Sequence, residues 1–145
     1  MLTISTKGRY SLRILILMAS RPRGHMFAKW EIAEAEALSC AYVQQLMASL
    51  KTAGFVASHR GKVGGFTLAR SPETITVADV LRATEGQTVL APCLGGEPCE
   101  REPTCRTRPM WARAQDLFDD FFSGMTVADL AEGGVANHPQ VADLI

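Results

Sequence analysis

Residues 38–69 read LSCAYVQQLMASLKTAGFVASHRGKVGGFTLA, and this stretch decides the fold. Ser39 is a good N-cap, and Val43, Leu46, Met47 and Leu50 follow at i, i+3, i+4 and i+7, the apolar stripe of a helix packed on one side. Gly54 stands where a helix of that length ends in a left-handed residue. Phe55–His59 and Phe66–Ala69 read as short strands, and Arg60-Gly61-Lys62-Val63-Gly64-Gly65 between them is too glycine-rich for anything but a hairpin tip.

Upstream, Ala28–Ala35 fits a short helix with Trp30, Ile32 and Ala33 apolar, and Ala37-Leu38 connects it tightly to the next. Two helices joined by so short a turn form a helix-turn-helix, whose second helix lies in the DNA major groove. With the stripe inward, Ala41, Tyr42, Gln44, Gln45 and Ser49 face outward beside Ser39. Glutamine can pair bidentately with adenine, and small side chains allow close approach to a thymine methyl. A hairpin carrying Arg60 and Lys62 on glycines can reach a narrow minor groove and its phosphates. Lys7–Ser20 is a further helix, apolar on nearly every side and therefore central, broken by Arg21-Pro22-Arg23-Gly24. Each piece taken singly is also compatible with plain core. Their order points to a mainly α fold with a small β-hairpin wing, a winged helix-turn-helix, over residues 1–72.

Charge agrees with this division. The 145 residues carry no net charge, yet residues 1–70 hold ten Lys and Arg against three Glu, a net +7, and the remainder is −7. Such an asymmetry suggests that the first half meets a polyanion, although the halves could also neutralise each other. A hydrophobic share of 47% with 21% charged residues excludes a disordered polyampholyte. No apolar run approaches the roughly 18 residues of a membrane span, and the first residues lack a secretion signal's order, so a cytoplasmic protein is expected.

Residues 73–132 read as a sensor and dimerisation region, and 133–145 as a loose tail. Thr76-Val77-Ala78-Asp79 is a capping box opening a helix through Thr84, and the same four letters recur at Thr126–Asp129 as an independent cap. From Ala91 to Arg108 the prolines and glycines exclude regular structure, and Cys93, Cys99 and Cys105 stand five residues apart. Three thiols on one pliable segment can converge on a soft metal or an iron–sulfur cluster, or act as a bare redox switch. Cys40, by contrast, reads as a small buried hydrophobe. His25, His59 and His138 read as surface residues. With no histidine near the cysteine loop to serve as base, an enzyme is not expected. A last long helix runs from Pro109 to about Phe122, with Trp111, Ala114, Phe118 and Phe121 along one side and Asp116, Asp119 and Asp120 on the other. Such a stripe needs a partner surface: a second copy is expected, with packing inside the protomer as the alternative. A dimer of this kind suits double-stranded DNA with a near-palindromic operator.

Together these residues resemble the Rrf-type family of winged-helix transcription regulators, over residues 1–130. The resemblance is carried by Lys7-Gly8-Arg9-Tyr10, by Leu38-Ser39 through Leu50 and Gly54, by Arg60-Gly61 with Gly64-Gly65-Phe66, and by the three cysteines followed by Trp111. It implies a homodimer in which Cys93, Cys99 and Cys105 ligate a [2Fe–2S] or [4Fe–4S] cluster near the dimerisation helix. It also implies that Ala41, Tyr42 and Gln44 stand at base-reading positions and Arg60 in the minor groove. The sequence departs from the family's cluster sensors at the fourth ligand. IscR-like proteins supply a histidine where this chain has Arg108, and NsrR-like proteins an aspartate where it has Gly8. Arginine is a poor iron ligand. The fourth position is left to Glu97, Glu100, Glu102, an external thiol, water or nothing. Gln44 stands where IscR-like proteins have an acid tied to operator choice.

Overall fold

The computed structural model describes residues 3–137. Six helices and one hairpin follow in the order α1 (Thr6–Ala19), α2 (Lys29–Glu36), α3 (Cys40–Thr52), β1 (Val56–His59), β2 (Gly65–Leu68), α4 (Val77–Glu85), α5 (Arg108–Ser123) and α6 (Val127–Ala131). The chain is thus mainly α with one antiparallel hairpin, as its periodicities require. The loose tail expected over 133–145 instead begins with a 3₁₀ turn at Gly134–Asn137; from residue 138 onward, with His138, it lies outside the described residues.

Helix α1 is the centre. Ile14 and Leu15 are fully buried, Met18 nearly so, and α2, α3, α4, α6 and β2 all pack against it. Each fully buried aliphatic side chain of this kind contributes about 2 kcal/mol. The α3 stripe of Val43, Leu46, Met47 and Leu50 closes on Ile32 and Ala33 of α2 and on Phe55, Val56 and Phe66 of the hairpin. Ile75, Val80 and Val127, from beyond the hairpin, join the same core.

The local signals act as read. Ser39 Oγ accepts from the Tyr42 amide at 3.1 Å, and Gly54 turns the chain at φ +80° into β1. At the helix-turn-helix corner the left-handed residue is Ala37, at φ 53°, a conformation that costs an L-residue roughly 1–2 kcal/mol. Phe27 forms an antiparallel bridge with Phe66, both backbone hydrogen bonds being 2.8 Å, so a short third segment borders the hairpin. Because that pairing is antiparallel, the chain beyond Phe27 runs toward Gly65 and the hairpin tip.

Two readings change. Cys40 is exposed, not buried. It occupies the first residue of α3, where the apolar stripe has not yet reached the core. The two capping boxes are not independent either. Thr76 and Thr126 form an antiparallel bridge, the Val77 amide donating to the Met125 carbonyl at 2.9 Å and the Val127 amide to the Ile75 carbonyl at 2.8 Å. Each threonine also caps its own helix, the Asp79 and Asp129 amides each donating to the threonine hydroxyl at 3.1 Å. The repeated tetrapeptide marks two helices that start side by side. Around them Val77, Leu81 and Met125 form a second apolar cluster with Leu12, Phe121, Phe122 and Leu130.

Candidate DNA interface and cysteine loop

The outward side of α3 carries the polar set expected of a reading helix. Ala41, Gln44 and Gln45 are exposed, as is Ser39, whose oxygen is engaged as the helix cap while its hydroxyl proton remains available. Tyr42 is only half-buried, its ring edge-on to Tyr10 at 6.1 Å between centroids, so its aromatic body serves packing as much as the surface. Ser49 is likewise half-buried.

Glycine sets the shape of the wing. A side chain on Gly64 would stand 2.7 Å from the His59 carbonyl oxygen and 3.0 Å from that of Gly61, and Gly61 itself lies at φ +123°. These constraints leave Arg60, Lys62 and Val63 on an exposed tip, with Val63 at 85% exposure. His59 is held within the hairpin by the Thr67 hydroxyl at 2.8 Å, and Lys51 donates to Ser58 Oγ at 2.6 Å. Two flexible cations thus project from a rigid scaffold beside a polar helix face, a geometry suited to phosphates and groove edges.

The cysteine loop joins α4 to α5. Pro92–Leu94 and Glu102–Thr104 form single 3₁₀ turns within it, each begun around a proline, where irregular chain alone was expected. Cys93 and Cys105 are half-buried and Cys99 exposed; none is in a disulfide. The loop does not draw its thiols together: among the described residues, no three His, Cys, Asp or Glu side chains are grouped to hold a metal ion. The Cys105 thiol is held below its ordinary pKa, first by the Thr107 hydroxyl at 3.4 Å, then by the Arg108 and Thr107 amides. As a donor set, three thiols on one segment fit a cluster in type. The fourth position is not supplied by the residues matched to it. Arg108 pairs with Glu102 at 3.2 Å, its Nε buried without a hydrogen bond. A side chain on Gly8 would collide with the Glu85 carboxylate.

Glu85 and Gln115 are the residues sequence reasoning missed. Glu85, the last residue of α4, accepts hydrogen bonds from the Ser5 amide at 3.2 Å and from the Ser5 hydroxyl, and Ser5 is the N-cap of α1. Gln115 ties the start of the loop to α5, accepting from the Leu90 amide at 2.9 Å and donating to the Thr88 carbonyl at 3.1 Å. Both contacts are non-local, and no neighbouring residue announces them. The start of the loop is therefore held both to α1, the helix at the centre of the DNA-binding half, and to α5.

No residue of α5 is buried. Met110, Trp111, Leu117 and Phe118 are 54%, 42%, 55% and 41% exposed, while Ala114, Phe121 and Phe122 are half-covered. At 100° per residue these side chains share one arc about 140° wide, opposite Asp116, Asp119 and Asp120. Among the described residues, no helix is long and apolar enough to cross a membrane.

A helix-turn-helix followed by a basic glycine-shaped hairpin defines a winged-helix DNA-binding regulator. The family model described as "Rrf2: Iron-dependent Transcriptional regulator" matches residues 4–133. The chain belongs to the Rrf2 family of transcriptional regulators. It is 36% identical over 129 residues to the HTH-type transcriptional regulator CymR of Bacillus subtilis, covering 88% of each chain. It is 29% identical over 141 residues to the HTH-type regulator IscR of Pectobacterium carotovorum, covering 97% of this chain and 83% of that one. The solved structure of B. subtilis CymR, titled the global cysteine regulator, superposes with a TM-score of 0.78 over 91% of this chain and 98% of its own. The structure of T. potens IscR, 29% identical, does so at 0.72 over 94% and 90%. These relatives are transcriptional regulators, not enzymes.

Proposed function

We propose that this regulator acts as a two-fold dimer whose affinity for a near-palindromic duplex is set by Cys93, Cys99 and Cys105 holding an iron–sulfur cluster. The observation that carries the reading is the position of these thiols. They lie on one segment clasped through Glu85 to the N-cap of α1 and through Gln115 to α5. When bound, such a cluster supplies sensitivity to oxidants, nitric oxide or iron supply. The chain's own part is mechanical. Gathering three thiolates would reshape the loop between its held start and α5 and so shift α5 against α1, altering the separation of the two reading helices. A coupling of about 1–3 kcal/mol between the two states is enough for a switch. Ser39, Ala41, Tyr42, Gln44 and Gln45 would face base edges, and Arg60 and Lys62 the minor groove and phosphates. Trp111, Ala114, Phe118 and Phe121 would meet their counterparts in the second copy.

The test is anaerobic isolation followed by absorbance and EPR spectra, iron and sulfide counts, and duplex binding before and after cluster loss. Charge-transfer absorbance with at least two irons per chain, and a changed duplex affinity on removing them, are expected. A colourless, iron-free protein after anaerobic reconstitution overturns the cluster.

A second reading keeps the DNA-binding role and uses the cysteines as a cluster-free thiol switch. It is favoured by the ungathered thiols and by the depressed pKa of Cys105, since the thiolate is the reactive form. Iron-free protein whose duplex affinity changes reversibly with oxidant and reductant would select it.

A further inference from the structure

Trp30 is 63% exposed, an unusual position for the side chain with the largest apolar surface. It stands at the second residue of α2, and its location follows from the backbone. Phe27 pairs antiparallel with Phe66, and β1 and β2 pair with His59 opposite Gly65 at the tip and Val56 opposite Leu68 at the base. The chain leaving Phe27 therefore heads for the tip. The close packing of Met26, whose Cγ stands 3.0 Å from where a Cβ on Gly65 would be, fixes that approach. Lys29 and Trp30 thus emerge at the wing's end of the sheet, on the helix that leads into the reading helix. Lys29 is exposed beside the ring, and Lys62 and Arg60 are exposed on the wing. The adjacent acid, Glu31, is half-buried and turned to its own helix end, its carboxylate accepting from the Ala28 amide at 2.7 Å. Glu34, one turn on from Trp30 at i+4, is exposed on the same face. The exposed groups at this end of the sheet are thus one acid against three cations, Lys29, Arg60 and Lys62, a net positive surface suited to a polyanion.

We infer that Trp30 is a DNA-contacting residue, laying its indole against the sugar–phosphate backbone beside the site that α3 reads. In a helix-turn-helix the first helix crosses the backbone while the second enters the major groove. The apolar ring covers deoxyribose, and the indole N–H, a donor only, is matched to a phosphate oxygen. A backbone contact positions without specifying sequence. The inference rests on the winged-helix reading and extends its contact face from α3 and the wing to the start of α2.

The experiment compares wild type, Trp30→Ala and Trp30→Phe in the full chain by fluorescence anisotropy, on its selected operator and on a scrambled duplex. Trp30→Ala is expected to weaken both by a similar factor, about five- to tenfold, with Trp30→Phe between the two. The slope of affinity against salt should stay unchanged, because no charge is removed. Equal affinities for wild type and Trp30→Ala on both duplexes would overturn the inference. Wild type that binds no duplex would instead overturn the functional reading beneath it, and the two failures are separable. Thermal melts check that the exposed position tolerates the substitutions.

Discussion

Replacing Phe118 by aspartate isolates the role of α5. The ring is 41% exposed in the protomer, so roughly 80 Å² of it faces water. At about 25 cal/mol per Å², covering that area contributes about 2 kcal/mol, and a symmetric interface counts it in both copies. Loss of about 4 kcal/mol corresponds to roughly a thousandfold weaker dimer, before any repulsion from the new carboxylate. The protomer should keep its fold, because Phe118 lies outside both apolar clusters. Sedimentation velocity across a micromolar concentration series would read the shift, with circular dichroism as the control for folding. Operator binding should weaken in parallel, since two half-sites would be engaged separately. Should Phe118→Asp sediment as wild type does at every concentration, α5 is not the dimer surface and the reasoning from its exposed arc fails.

Other substitutions probe the remaining elements. Arg60→Ala should weaken duplex binding about tenfold and reduce the salt slope by about one, measured by anisotropy from 50 to 300 mM salt; an unchanged slope would remove the wing from the phosphates. Ala37→Gly should raise stability by about 1 kcal/mol, or about 3 °C in Tm, by relieving the left-handed alanine at the helix-turn-helix corner. A lower Tm would mean that the corner is not strained. Thr76→Ala and Thr126→Ala should each cost about 1 kcal/mol as lost caps. Because the two residues are bridged, the double variant should differ from the sum of the singles by 0.5 kcal/mol or more in urea unfolding; strict additivity would argue that the bridge is energetically empty.

The winged helix was readable because its signals are local. The Val43–Leu50 stripe, the Ser39 cap, Gly54 and the glycines of the wing each act within a few residues, and each appears in the structure where the chain placed it. Burial at the ends of elements was less readable. Cys40 lies three residues before Val43, on the side of the stripe, but at the first turn the core has run out. Tyr42 was assigned outward, yet its ring finds Tyr10 from α1, a contact that periodicity within one helix does not contain. The identical tetrapeptides at 76 and 126 were visible, but their pairing depends on a chain reversal made by the whole intervening segment. Glu85 and Gln115 had no signal at all, since a carboxylate ending one helix and an amide within another declare their partners only in three dimensions.

The bridge between Thr76 and Thr126 means that the chain leaves the core and returns to it at one spot. Everything from the loop after α4 through α5 is a detour from a closed body, fastened at its mouth. Such a detour can be lengthened, shortened or exchanged for another at a modest entropic cost, because the ends stay joined whatever lies between them. The same DNA-gripping head could thus be fitted over evolutionary time with different chemical detectors, each plugged into one socket.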